Sequence, residues 1–123
     1  NQQALVTLIL ALTEQFESGV EGAVKDAFEC AEKIRDDYDR AYFTGIICER
    51  RAKAQLAHRA PKYGERAYEW LREAMDAYEK AEAIRPTGND DTLLRWNACA
   101  RLIMRDRHLV PASQEREEPL LLE

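Results

Sequence analysis

The stretch AMDAYEKAEAIRPTGNDD, residues 74–91, decides how this chain folds. Ala74, Tyr78 and Ala81 share one face of a helix, because side chains three and four apart lie one above another. Pro86-Thr87-Gly88-Asn89 follows directly. Proline removes a backbone donor and Gly-Asn supplies turn residues, so the helix stops there. Two small residues around an aromatic make a face suited to close approach. The small positions let a neighbouring rod come near, and the aromatic fills the space left between them.

Upstream, Ala67, Trp70 and Leu71 continue that face, and Ala60-Pro61 marks where this fourth helix begins, since proline restricts the residue before it and fits a first helical turn. A third helix is expected to start near Tyr38, where Asp36, Asp37 and Asp39 suit the positive end of a helix. It carries Ala41, Gly45, Cys48, Ala52 and Leu56 on one side, a small-residue face that the aromatics of helix four complement. Ser18-Gly19-Val20-Glu21 has the capping-box spacing and predicts the start of a second helix, with Val20, Val24, Ala27, Phe28, Ala31 and Ile34 as its core face. The first helix carries Leu5, Leu8, Ile9, Leu12 and Phe16 on one side and Val6 and Leu10 on the other flank, so it needs cover on two sides. After the Pro86 stop, Asn89 or Asp90 can cap a fifth helix running to about Arg107, built on Leu93, Trp96, Ala100 and Ile103. No segment shows the alternation of a half-buried strand. The expected class is all-α, with residues 1–110 as one helical domain and 111–123 as an acidic and then apolar tail.

The totals agree with one folded domain: 123 residues, 46% hydrophobic and 33% charged, with only five Gly and four Pro. A net charge of -5 gives no electrostatic case for nucleic acid or an anionic membrane. The apolar run from Ala4 to Leu12 is well short of the ~20 residues of a membrane span, and it lacks the flanks of a signal peptide. Cys30, Cys48 and Cys99 are odd in number, widely spaced and set within apolar helical patterns, so buried thiols in a reducing, cytoplasmic setting are expected. The chain opens on Asn1 and not on Met, consistent with a longer parent chain.

Ala74-x3-Tyr78-x2-Ala81-x4-Pro86 resembles the second helix of a tetratricopeptide repeat, and Gly45-x2-Cys48 is similar to the Gly-x2-Tyr of its first helix, with Cys48 in place of the tyrosine and Thr44 where leucine is usual. Leu8, Leu12, Val24, Phe28 and Ala31 stand at comparable positions of an earlier pair. The segment from Gly45 to Ala74 is longer than the ~34-residue repeat allows, which implies extended helices meeting near Ala60-Pro61. The resemblance implies a right-handed stack of antiparallel helices, two such pairs plus a C-terminal capping helix. It also implies a scaffold or adaptor that binds a peptide or partner protein in a concave groove.

In this family the first helix of each pair lines the groove. The resemblance therefore points to Tyr42, Ile46, Arg50 and Lys53, expected to be exposed on helix three away from Gly45 and Cys48, and to Asn97, Arg101 and Arg105 as a polar stripe on helix five. Asparagine can satisfy both polar groups of a peptide unit, and arginines clamp carboxylates in pairs, so an acidic or C-terminal ligand would suit. The plain alternative is that this stripe is the solvated face of a closing helix. The acidic, leucine-ended tail could also dock in its own groove.

His58 and His108 each lie near a predicted helix end, where a plain electrostatic role accounts for them. No metal motif, phosphate loop, nucleophile elbow or paired acid and base is legible, so no enzyme activity, cofactor or metal is expected. The arginines of helix five have no aromatics interleaved on their face, which argues against nucleic acid. The runner-up function is self-assembly: a repeat stack needs polar ends, and the first helix is polar on neither flank, which suggests a homodimer through that helix.

Overall fold

The computed structural model describes residues 1–112 and contains five helices, α1 (Gln2–Thr13), α2 (Ala23–Glu32), α3 (Asp37–His58), α4 (Tyr63–Ala83) and α5 (Asp91–Arg105). Among the described residues there is no strand, and the chain is all-α. The tail reading falls outside the described residues from 113 onward.

Helix α3 begins where the aspartates placed it. The Asp36 carboxylate accepts the Asp39 amide at 2.9 Å, and Asp37 and Asp39 occupy the first turn, near the positive end of the helix. At the other end Arg59 and Lys62 both take left-handed conformations (φ 52° and 62°) on either side of Ala60-Pro61. The chain thus reverses within four residues, and α4 runs back along α3, bringing Tyr78 opposite Gly45.

The predicted start of the second helix is corrected. The Ser18 hydroxyl donates to the Gln15 carbonyl at 2.9 Å, and α2 starts four residues later from Gly22, at φ 85°. The cause lies upstream: tight turns close from Gln15 to Leu12, Phe16 to Thr13 and Gly19 to Phe16, and they turn Phe16 into the core. Val20, expected in the core, is 50% exposed, and Ala23 is buried in its stead.

Two buried clusters meet on α3. One joins Ile46, Cys48 and Ala52 to Ala67, Leu71, Ala74, Met75 and Tyr78 of α4 and to Cys99 and Leu109. The other joins Ile47 and Ala54 to Ile9, Phe16, Ala23, Ala27, Ala31 and Ile34. Since α3 is buried on opposite sides, it is the central rod; each fully buried Ile or Leu here contributes roughly 1.5–3 kcal/mol. The close approach expected from small residues is present, with Gly45, Ala74 and Ala81 all buried.

Helix α5 lies antiparallel to α4. At its start the Thr92 hydroxyl donates to Glu82, and the Trp96 indole N–H donates to Glu79 Oε2 at 3.1 Å. Past its end, the His108 carbonyl lies against Gly64 near the start of α4 and Leu109 is buried.

Candidate functional site

Glu49, in the middle of α3, is a carboxylate with only 3% of its surface exposed. An isolated buried carboxylate is costly, so its partners decide whether it survives as an anion. The Tyr78 hydroxyl donates to Oε1 at 2.7 Å, the Lys53 ammonium sits 2.9 Å from Oε2, and an Arg95 terminal nitrogen lies 3.6 Å from Oε1. Arg95 also donates through Nε to the Tyr42 hydroxyl at 2.9 Å, tying α5 to α3. Burial by itself would push Glu49 up, but the hydrogen bonds from Tyr78 and Lys53 and the charges of Lys53 and Arg95 outweigh it and hold the carboxyl below its usual range.

Of these, Lys53 and Arg95 line a cleft of about 370 Å³. Arg50, Lys53 and Arg95 supply cations from α3 and α5, while Thr13, Glu14, Phe16 and Glu17 form the facing wall at the end of α1. Two of the residues expected from the sequence, Arg50 and Lys53, therefore share one cleft. Arg95 joins them, although sequence reasoning did not select it. Its only local sign is its place one turn from Thr92 and Cys99, both buried.

The other expected site residues are elsewhere. Ile46 is 2% exposed and belongs to the core between α3 and α4, so it lines no groove. Tyr42 is half-buried rather than open, with its ring against Tyr38, Phe43 and Tyr78. Asn97 lines a separate hollow between α4 and α5 with Glu79, Glu82 and Trp96. Arg101 and Arg105 are exposed. The expected face of α5 is largely kept: Trp96, Ala100 and Ile103 pack against the core beside the buried Thr92 and Cys99, and of the four only Leu93, 47% exposed, lies outside it. At helical spacing Arg95 sits on one flank of that face, next to Cys99, where it reaches Glu49, while Asn97, Arg101 and Arg105 fall on the opposite side of the helix and so do not meet Arg50 and Lys53.

Glu49, Tyr78, Cys48 and Cys99 are each shifted further from pH 7. Burial, followed by the charge of Glu73, pushes the Cys48 thiol up to about 12, and burial, followed by the charge of Glu49, pushes Cys99 up to about 12. Tyr78 is raised by burial and by Glu49. Each group keeps its ordinary protonation state at neutral pH, which suits a fixed polar scaffold and not proton transfer. The three cysteines are free and buried. Among the described residues no group of three or more His, Cys, Asp or Glu is placed to hold a metal ion, and no helix is long and apolar enough to cross a membrane.

No protein-family model matches the chain, no curated protein matches it, and no solved structure matches it.

Proposed function

We propose that this chain is a protein-interaction module that recognises a peptide or partner protein at the cleft between α1, α3 and α5. The observation that carries this reading is the fixed position of the cleft's cations. Lys53 and Arg95 are held by the buried Glu49 carboxylate, and Arg95 additionally by Tyr42, so their ordering cost is met before any ligand arrives. Cations on the α3 and α5 side face Glu14 and Glu17 on the other, so the cleft suits a segment of mixed charge better than a purely acidic one. The proposal includes the arrangement expected from the resemblance, α1–α2 and α3–α4 as successive pairs of a right-handed stack closed by α5. In support of it, α1 packs on α2 and α3, α2 on α3, α3 on α4, and α4 on α5.

A peptide array of mixed-charge and acidic sequences, probed with the wild type and with Arg50→Glu plus Lys53→Glu, tests this. Peptides that bind the wild type and lose at least about tenfold in affinity with the variant support it; an array on which both proteins bind the same peptides equally well removes the cleft from the function.

A second reading has its own observation. Helix α1 contains no charged residue, and Leu8 and Leu10 are 47% and 39% exposed on it. An uncharged, partly open apolar helix favours self-association through α1. Light scattering that gives a dimer for the wild type and a monomer for Leu8→Glu supports this reading, and a monomeric wild type at micromolar concentration rejects it.

A further inference from the structure

A second, larger cleft of about 720 Å³, sharing only Phe16 with the first, lies between the α1–α2 loop, the C-terminal half of α3 and the start of α4. Lys25, Arg51, His58 and Arg66 line it, and Glu21 is the one carboxylate on its wall. The cations are not there to pair with protein acids. Among the described residues neither Arg51 nor Arg66 forms an ion pair, and Lys25 reaches only Glu29, at 3.9 Å across exposed side chains. Arg51 is half-buried, and its Nε, fully buried without a hydrogen-bond partner, is closed to a ligand as it is to water, so a ligand in the cleft would meet its terminal nitrogens. His58 lines the cleft next to the α1–α2 loop, its Nε2 4.0 Å from where a Cβ on Gly19 would stand.

The same cleft has an aromatic wall. Phe28 and Trp70 line it with rings stacked at 6.0 Å between centroids and 21° between planes. Three permanent cations against one carboxylate leave two net positive charges, which the roughly −1.5 to −2 charge of a phosphomonoester at neutral pH would offset. A guanidinium pairs with phosphate oxygens through two parallel hydrogen bonds, and a stacked aromatic wall takes a flat apolar body.

We infer that this cleft binds an aryl phosphomonoester, with the phosphate on Arg51, Arg66 and His58 and the aromatic ring against Phe28 and Trp70. The site is separate from the cleft beside Glu49 and does not rest on that proposal. The ligand chemistry is shared by a free aryl phosphate and by a phosphotyrosyl side chain of a partner. Glu21 weakens the site by repelling the phosphate.

The test is an NMR titration of the full chain with phenyl phosphate, inorganic phosphate, benzoate and a phosphotyrosine tripeptide, following the two indole N–H signals. Phenyl phosphate is expected to move the Trp70 signal saturably and leave that of Trp96, which is bonded to Glu79, in place. Inorganic phosphate and benzoate should bind about tenfold more weakly or worse, since each lacks one half of the ligand. A tighter tripeptide supports a modified partner as the source, and tighter phenyl phosphate supports a small ligand. Arg51→Gln with Arg66→Gln should lose at least about tenfold in affinity. Glu21→Gln, a change at an exposed residue, should bind more tightly than the wild type. The inference is overturned if neither phenyl phosphate nor the tripeptide moves Trp70 at about 10 mM, well above a millimolar dissociation constant, if benzoate matches phenyl phosphate, or if Glu21→Gln leaves the affinity unchanged.

Discussion

The Tyr78 ring lies so close to the backbone of Gly45 that a Cβ at that position would stand 2.4 Å from the ring's Cε1. The ring cannot swing clear: Tyr78 is fully buried, and its hydroxyl is anchored on Glu49 at 2.7 Å. Two effects compete in Gly45→Ala. Helix propensity gains up to about 1 kcal/mol, while overpacking a fixed core site costs typically about 1–3 kcal/mol. With backbone on one side and an anchored ring on the other, the overpacking cost falls at the top of that range, about 3 kcal/mol, so the clash wins and a net loss of about 2 kcal/mol is expected in urea denaturation. In a Tyr78→Leu background, which removes the ring atoms, the same substitution should become neutral or stabilising. A destabilisation of the same size in both backgrounds would rule out the ring as the cause.

Gly64 makes a similar contact at the other end of α4. A Cβ there would stand 2.0 Å from the His108 carbonyl oxygen, and that oxygen belongs to backbone, which yields less readily than a side chain. Gly64→Ala should therefore lift residues 106–110 from α4 and uncover Leu109, which is 4% exposed, at a cost of about 2 kcal/mol. Hydrogen exchange locates the effect. The amides of Asp106 and Leu109, bonded to the carbonyls of Leu102 and Asp106, should lose protection while those around Gly45 keep theirs.

What could be read from the sequence was local spacing. Gly45, Ala74, Tyr78 and Ala81 are interior because small and aromatic residues three and four apart mark a packed face, and the Asp36 cap and the Pro86 stop are written in adjacent residues. The start of α2 was misread because Ser18 and Glu21 have capping spacing, yet the upstream turns spend the Ser18 hydroxyl on Gln15. The candidate site was harder to foresee. Glu49 gains its meaning from Tyr78, 29 positions away in the chain, and Arg95, on the flank of the packed face of α5, gains its meaning only once that helix lies against α3 and α4. Helical spacing marks the packed face of α5 but not which charged residue on its flank meets a buried partner on another helix.

The thiols offer a direct readout of the core. Cys48 and Cys99, both buried and pushed up to about 12, are protonated and inaccessible in the native protein. Alkylation by iodoacetamide at neutral pH should proceed only through opening, at a rate that rises in step with global unfolding as urea is added. In Gly45→Ala both thiols should label faster, by roughly the factor of 30 that corresponds to 2 kcal/mol. Labelling of Cys48 or Cys99 at the rate of a free thiol in the folded protein would contradict their burial.

Glu49 sets an acid limit on stability. Its carboxyl is held below the ordinary value of 4.5, so the unfolded chain takes up a proton more readily than the folded one. The stability it contributes is then complete above the unfolded value and is lost as pH falls through the folded one. Replacing it by Gln keeps an acceptor for Tyr78 but removes the charge that holds Lys53 and Arg95, at a cost of about 2 kcal/mol at pH 7. Other carboxylates titrate in wild type and variant alike, so the difference between the two isolates Glu49. Urea denaturation should show the gap between wild type and Glu49→Gln narrowing as pH falls from about 5 to about 3. A gap that stays constant across that window would mean that the carboxylate is not the group that orders Lys53 and Arg95.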